Sequence, residues 1–124
     1  KAYGAPLVIS EATAAGLPSD APWAIRELDL VVPVGRVQPI RIFEVIDAEA
    51  PGLREGKLKT LDTFNRARKA YSSGLFDEAL AGYSACVAAC PGDLAARMLA
   101  QRCAGLCDDG PPPGWDGAHR LAVK

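Results

Sequence analysis

The sequence is short of most features that announce a function. Fourteen lysines and arginines stand against fifteen aspartates and glutamates, a formal net charge of −1. No basic field exists for nucleic acid or anionic lipid, and both partners are disfavoured. No apolar run approaches the roughly 20 residues that span a bilayer. The N-terminal stretch also lacks the basic-then-apolar pattern of a secretory signal, so no membrane contact by this segment is expected. There is no Gly-x-Gly-x-x-Gly turn, no Gly-x4-Gly-Lys loop and no Gly-x-Ser-x-Gly elbow, which removes the dinucleotide, P-loop and serine-hydrolase readings. The one histidine, His119, has no second His or Cys-rich spacing near it and reads as an exposed tail residue. Methionine is nearly missing as well. The chain begins at Lys1 and its one methionine is Met98, so a piece of a longer protein is expected.

What is present is globular: 49% hydrophobic and 23% charged residues over 124 positions, enough for one ordinary domain or two small ones. Leu7-Val8-Ile9 is a short β-prone run bounded by Gly4, Pro6 and Ser10. Ser10 is placed to cap a helix, Glu11 lies where the helix dipole favours an anion, and Gly16 with Pro18 stops the helix. Residues 19–22 read as a turn or loop. A strand is expected over Trp23–Val34, with Pro33 marking an edge or bulge. Gly35 begins a turn and the return strand runs over Ile40–Ile46. There Ile40, Ile42 and Glu44 share one face, and Arg41, Phe43 and Val45 share the other.

Residues 47–56 are acidic, contain Pro51, Gly52 and Gly56, and lack periodicity, so they read as a linker, with the boundary at 48–56. Residues 57–109 read as helical. Leu58, Leu61, Phe64, Ala67 and Tyr71 form one apolar stripe, ended by Gly74. A second helix runs from Phe76 to Cys90 with Ala79, Leu80, Tyr83, Cys86 and Val87 inward. Asp93 caps a third that carries Leu94, Met98, Leu99, Cys103 and Leu106 to about Cys107. Residues 110–124 are a Pro-rich tail.

The run from Tyr3 through Ser10 to Thr13, with Arg26-Glu27-Leu28-Asp29 and the stretch from Gly35 through Ile40 to Val45, resembles the C-terminal end of a class III adenylate/guanylate cyclase catalytic domain, over about residues 1–47. Ala67, Gly74, Phe76, Ala79, Tyr83, Cys86 and Pro91 fall in the order of a tetratricopeptide repeat. Some bacterial cyclases carry such a helical extension, followed by a tail like Pro111-Pro112-Pro113-Gly114-Trp115-Asp116-Gly117. The fold this implies is α+β: the closing strand–helix–β-hairpin of a ferredoxin-like cyclase domain, then a TPR-like helical hairpin and a third helix. A lone repeat cannot bury its apolar face unaided, so it is expected to pack on the cyclase-like part or on a partner.

The resemblance implies a parent enzyme that converts ATP, with GTP as the alternative, to the cyclic nucleotide and pyrophosphate in cyclic-nucleotide signalling. It works as a homodimer with two Mg²⁺ or Mn²⁺ ions held by two carboxylates. Those carboxylates and the family's Asn and Arg precede the stretch matching Tyr3–Thr13. They would lie upstream of Lys1, so no catalytic residue and no bound metal is expected in this chain, which alone would be inactive. The implied location is cytoplasmic, with any membrane anchor of the parent upstream. One family position does fall within the chain: the Lys that contacts the triphosphate just before the hairpin turn is matched by Val34. Arg36 is the candidate phosphate contact in its place; the plainer reading is a solvated turn arginine. The rival from another class is a non-catalytic TPR-like interaction module with a degenerate cyclase remnant.

Four further features invite a function. Glu27 and Asp29 share a strand face and suggest a metal pair, but solvated carboxylates are favoured for them and for Glu11 and Glu44. Cys86-x3-Cys90 and Cys103-x3-Cys107 each place two sulfurs one helical turn apart. On antiparallel helices the four would converge for zinc or disulfides, yet plain core cysteines are the favoured reading. Trp115 either pins the tail to the body or stands out as a recognition anchor, and pinning is favoured. Finally, a three-strand remnant leaves open edges that invite association.

Overall fold

In the computed structural model, residues 3–18 and 22–120 are described. The turn expected at 19–22 lies outside them except for Pro22, as do residues 121–124 of the tail. Strand β1 (Val8–Ser10) passes straight into helix α1 (Glu11–Ala15). The Ser10 hydroxyl accepts from the Thr13 N–H at 3.3 Å, satisfying one of the donors that a helix start leaves open. The Gly16 N–H closes the far end on the carbonyls of Ala12 and Thr13.

Strands β2 (Ile25–Val32) and β3 (Ile40–Val45) form an antiparallel hairpin, and β1 pairs antiparallel with the other edge of β3. The turn is tight: the Arg36 N–H donates to the Pro33 carbonyl at 3.0 Å, and Gly35 between them has φ +80°, a left-handed value that glycine adopts without a Cβ clash. β2 is shorter than the Trp23–Val34 strand expected. Pro33 has no N–H to continue a ladder, and the residues beyond it turn. A bulge interrupts the pairing, with Glu27 opposite Phe43 and Asp29 opposite Ile42. The extra residue, Leu28, breaks the two-residue alternation, so Leu28 and Asp29 are both fully buried.

A fourth strand completes the sheet in the order β1-β3-β2-β4. It is β4 (His119–Arg120), which pairs parallel to β2 with Val31 opposite His119 and Val32 opposite Arg120. This corrects the exposed tail histidine: His119 is a half-buried strand residue. Among the described residues the tail adds a fourth strand to the expected three, but it covers only Val31 and Val32 of the outer edge of β2.

Between sheet and helices a 3-10 turn (Ile46–Ala48) leads into α2 (Pro51–Lys59). Residues 51–56, read as lacking periodicity, are helical. Pro51 stands at the start of the helix, where its missing N–H costs nothing and its fixed φ fits. Helices α3 (Leu61–Ser72), α4 (Phe76–Ala89) and α5 (Leu94–Asp109) follow as antiparallel neighbours. Because the chain breaks between α2 and α3 at Thr60, Leu58 leaves the expected stripe and is 45% exposed, whereas Phe64, Ala67 and Tyr71 stay buried. α3 and α4 approach closely at Gly82, where an added Cβ would come within 2.7 Å of the Ala67 Cβ.

The core lies between these helices and the sheet. Phe64 meets Tyr83 edge-on at 5.3 Å, with Leu28, Cys86, Leu99 and Cys103 around them. Tyr83 is wholly buried and its hydroxyl has no hydrogen-bond partner among the described residues. Burial pushes its pKa well up, since the phenolate would be still worse solvated. Tyr83→Phe is therefore expected to raise stability by about 1 kcal/mol in urea unfolding, because it removes an unsatisfied buried group without changing the packing. A loss of that size instead would show a partner for the hydroxyl.

Candidate functional site

Three charges on β2 and β3, those of Arg26, Asp29 and Glu44, are buried. Arg26 is the centre of one network: its Nε donates to Glu44 Oε1 at 2.9 Å, and its two terminal nitrogens make a bidentate pair with Asp93 at 2.8 Å each. The guanidinium lies 3.9 Å above the centre of the Phe64 ring, a cation–π contact. Asp93 also accepts from the Ala96 N–H at 3.2 Å, so one carboxylate caps α5 and neutralises a strand arginine. Lys57 of α2 donates to Glu44 and, at 2.7 Å, to Glu49. Arg26, Glu44, Lys57 and Asp93 are all essentially sealed from solvent. Burial disfavours the Arg26 charge, but Asp93 and Glu44 more than offset it and hold its pKa above the ordinary value.

A second network surrounds the bulge. Asp29 accepts from the Tyr3 hydroxyl at 2.6 Å, from Arg102 at 2.7 Å and from the Leu30 N–H at 2.9 Å. Glu27 accepts from Arg41 at 3.0 Å and Arg68 at 2.8 Å. The expectation of solvated carboxylates is therefore wrong for Asp29 and Glu44, and only partly right for Glu27. Glu11 remains exposed, 3.9 Å from Arg41. These residues do not fit a divalent ion either. The buried carboxylates already face guanidinium or ammonium groups, and among the described residues no three or more His, Cys, Asp and Glu side chains converge.

The hairpin tip is the exposed, cationic end of the sheet. Val34 is 51% exposed and Arg36 is exposed on the turn. β4 brings Arg120 to the same place: Val32, Val34, Gly35, Arg36 and Arg120 line one open cavity of about 290 Å³. Sequence reasoning missed Arg120, and no local signal could have found it, since its position depends on the register with Val32.

The cysteine pairs do not converge. Cys90 ends α4 beside Gly56 of α2, and Cys86 lies 3.8 Å from the Thr60 carbonyl. Cys107 sits at the opposite end, 3.1 Å from Asp77 at the start of α4. Antiparallel packing separates the pairs because their positions fall at different ends of adjacent helices. All four are free thiols, and only Cys107 is exposed. Burial pushes Cys86 and Cys103 up to about 11. In the folded protein at neutral pH a thiol-specific reagent is expected to label Cys107 first, with Cys86 and Cys103 reacting only on unfolding. Rapid labelling of all four without unfolding would contradict this packing.

Trp115 meets Tyr71 at 5.8 Å and Phe76 at 5.2 Å, both edge-on. It pins the tail, and the Pro112–Trp115 turn ahead of it closes with a 3.1 Å hydrogen bond. No helix among the described residues is long and apolar enough to cross a membrane.

The fold is α+β, with a cationic hairpin tip at one end of the sheet. No protein-family model and no solved structure matches the chain. Among curated proteins it is similar to an adenylate cyclase: it is 31% identical over 81 residues to the terminal-differentiation-specific adenylate cyclase of Dictyostelium discoideum. The match covers 65% of this chain and 4% of that protein's length. The similarity supports a relationship to adenylate cyclases.

Proposed function

We propose that the chain is the C-terminal part of a class III adenylate cyclase, cytoplasmic in location, whose whole protein makes cyclic AMP and pyrophosphate from ATP, with GTP the alternative substrate. The similarity to the Dictyostelium cyclase carries this reading. Residues 1–47 are the closing strand–helix–hairpin of the catalytic domain, 57–109 a TPR-like extension, and 110–124 its tail. The chain supplies scaffold and homodimer interface. Ile9, Ile25 and Phe43 are half-buried on the sheet face turned away from the helices, which suits that face for a second copy. The catalytic groups belong to residues outside this chain, a division supported by the ion pairing of its own buried carboxylates. Mg²⁺ or Mn²⁺ would be held elsewhere in the parent. At the hairpin tip Arg36 offers a positive charge to the triphosphate where Val34 cannot, and Arg120 adds a second.

A second reading is a non-catalytic TPR-like interaction module with a cyclase remnant. Val34 favours it, because an uncharged residue there contributes nothing to phosphate binding. Cyclic-nucleotide formation from ATP and GTP with Mn²⁺, in the whole protein with and without Val34→Lys, separates the two. Turnover in the unchanged protein supports the cyclase and makes Arg36→Ala, with a raised KM, the next variant. Silence repaired by Val34→Lys means a degenerate half-site. Silence in both, with the protein folded, favours the interaction module.

A further inference from the structure

A cavity of about 520 Å³ lies between the C-terminal half of α5 and the tail that folds back over it. Its volume is in the range of small-molecule sites. Its lining combines the apolar Leu106, Pro112, Pro113 and Trp115 with Arg102, His119, Arg120 and Tyr71. Among the described residues that line it there is no aspartate or glutamate, in a chain whose net charge is −1.

The two arginines and the imidazole are held in place by different means; burial, and then the Arg102 charge, lower the His119 pKa, so the ring acts as an uncharged hydrogen-bond donor. Arg102 is anchored from behind by Asp29 at 2.7 Å and lies 3.5 Å from the Tyr71 hydroxyl. His119 and Arg120 are fixed by the backbone pairing of β4 with β2. Arg120 has a loose, exposed pair with Asp116 at 3.6 Å, which a bound anion can replace at little cost. Trp115 is held edge-on by Tyr71 and Phe76, so the apolar lining is preorganised as well.

We infer that this cavity binds a small organic oxyanion, a carboxylate or phosphate monoester on an apolar body, with the anion against Arg102, His119 and Arg120 and the body against Trp115. The anion gains charge-assisted hydrogen bonds from donors already in position. The body displaces water from Leu106, the prolines and the indole. The site shares Arg120 with the hairpin tip but does not rest on the cyclase reading, and its occupant would hold β4 against the sheet.

The test follows the Trp115 indole N–H by NMR in the full chain, with Trp23→Phe assigning the signal. Phenyl phosphate and phenylacetate are the probes; benzyl alcohol and inorganic phosphate are the controls. At least one probe is expected to move the Trp115 signal saturably at submillimolar to millimolar concentration, with both controls far weaker. Arg120→Gln, which keeps the backbone pairs of β4, is expected to weaken the binding about tenfold, whereas Arg36→Gln at the hairpin tip leaves it unchanged. No saturable shift with either probe overturns the proposal. So does equal binding of a control, or binding indifferent to Arg120→Gln.

Discussion

Arg26→Ala is expected to remove about 3–5 kcal/mol of stability, the usual consequence of deleting one member of a buried charge network. The substitution leaves Asp93 and Glu44 sealed from solvent without their shared cation, and takes away the contact over Phe64. Since domains of this size hold roughly 5–15 kcal/mol in all, much of the population should unfold at modest urea. The loss comes mainly from Asp93, which is stranded while Glu44 keeps Lys57, rather than from the worth of the pair. A double variant, Arg26→Met with Asp93→Ser, leaves Glu44 on Lys57 and should therefore recover more than half of it, the introduced hydroxyl keeping the cap on α5. Urea midpoints of the single and double variants check this. A double variant less stable than Arg26→Ala would mean that the ion pairs themselves hold the helices on the sheet.

Asp29→Ala is expected to cost about 3 kcal/mol by the same physics at a second place. It deprives the Tyr3 hydroxyl and Arg102 of their acceptor and leaves Arg68, 3.7 Å away, with Glu27 alone. Arg102 borders a cavity and can turn towards water, which keeps the loss at the lower end. Burial raises the pKa of Tyr3 and the neighbouring Asp29 charge raises it further, so the hydroxyl stays protonated as a donor to Asp29 over ordinary pH. Urea unfolding reads the loss. A change below a few tenths of a kcal/mol would contradict the fully buried placement of Asp29, since only exposed pairs are worth so little.

The parts of the fold written in neighbouring residues were legible. The Ser10 cap, the Gly35 turn, the Asp93 cap and the breaks at Gly74 and Pro91 each depend on local backbone chemistry and fall where expected. Trp115 pins the tail for the reason given by its size and apolarity. What was not legible depends on pairing across the chain. Arg26 and Asp93 look like two surface charges until α5 begins beside β2. Glu27 and Asp29 look like alternating strand residues until the bulge at Leu28 resets the faces. α2 hides among Pro51, Gly52 and Gly56, and β4, described at His119–Arg120, lies in a Pro- and Gly-rich tail. At the candidate site Arg36 could be singled out from the turn, whereas Arg120 needed the sheet.

The central claim, a cyclase part whose own carboxylates are structural, is tested most directly by cyclic AMP formation in the whole protein carrying Glu27→Gln, beside the unchanged protein. Glu27 is the acid of β2 that keeps some exposure, with 26% of its side chain accessible, and its replacement should leave the fold intact. The expected result is turnover in both, within a factor of about three once corrected for folded fraction, the size of effect of a lost part-exposed ion pair. Loss of turnover on Glu27→Gln with KM and folding unchanged would make Glu27 part of the reacting machinery and contradict the account. So would no turnover in the unchanged, folded protein.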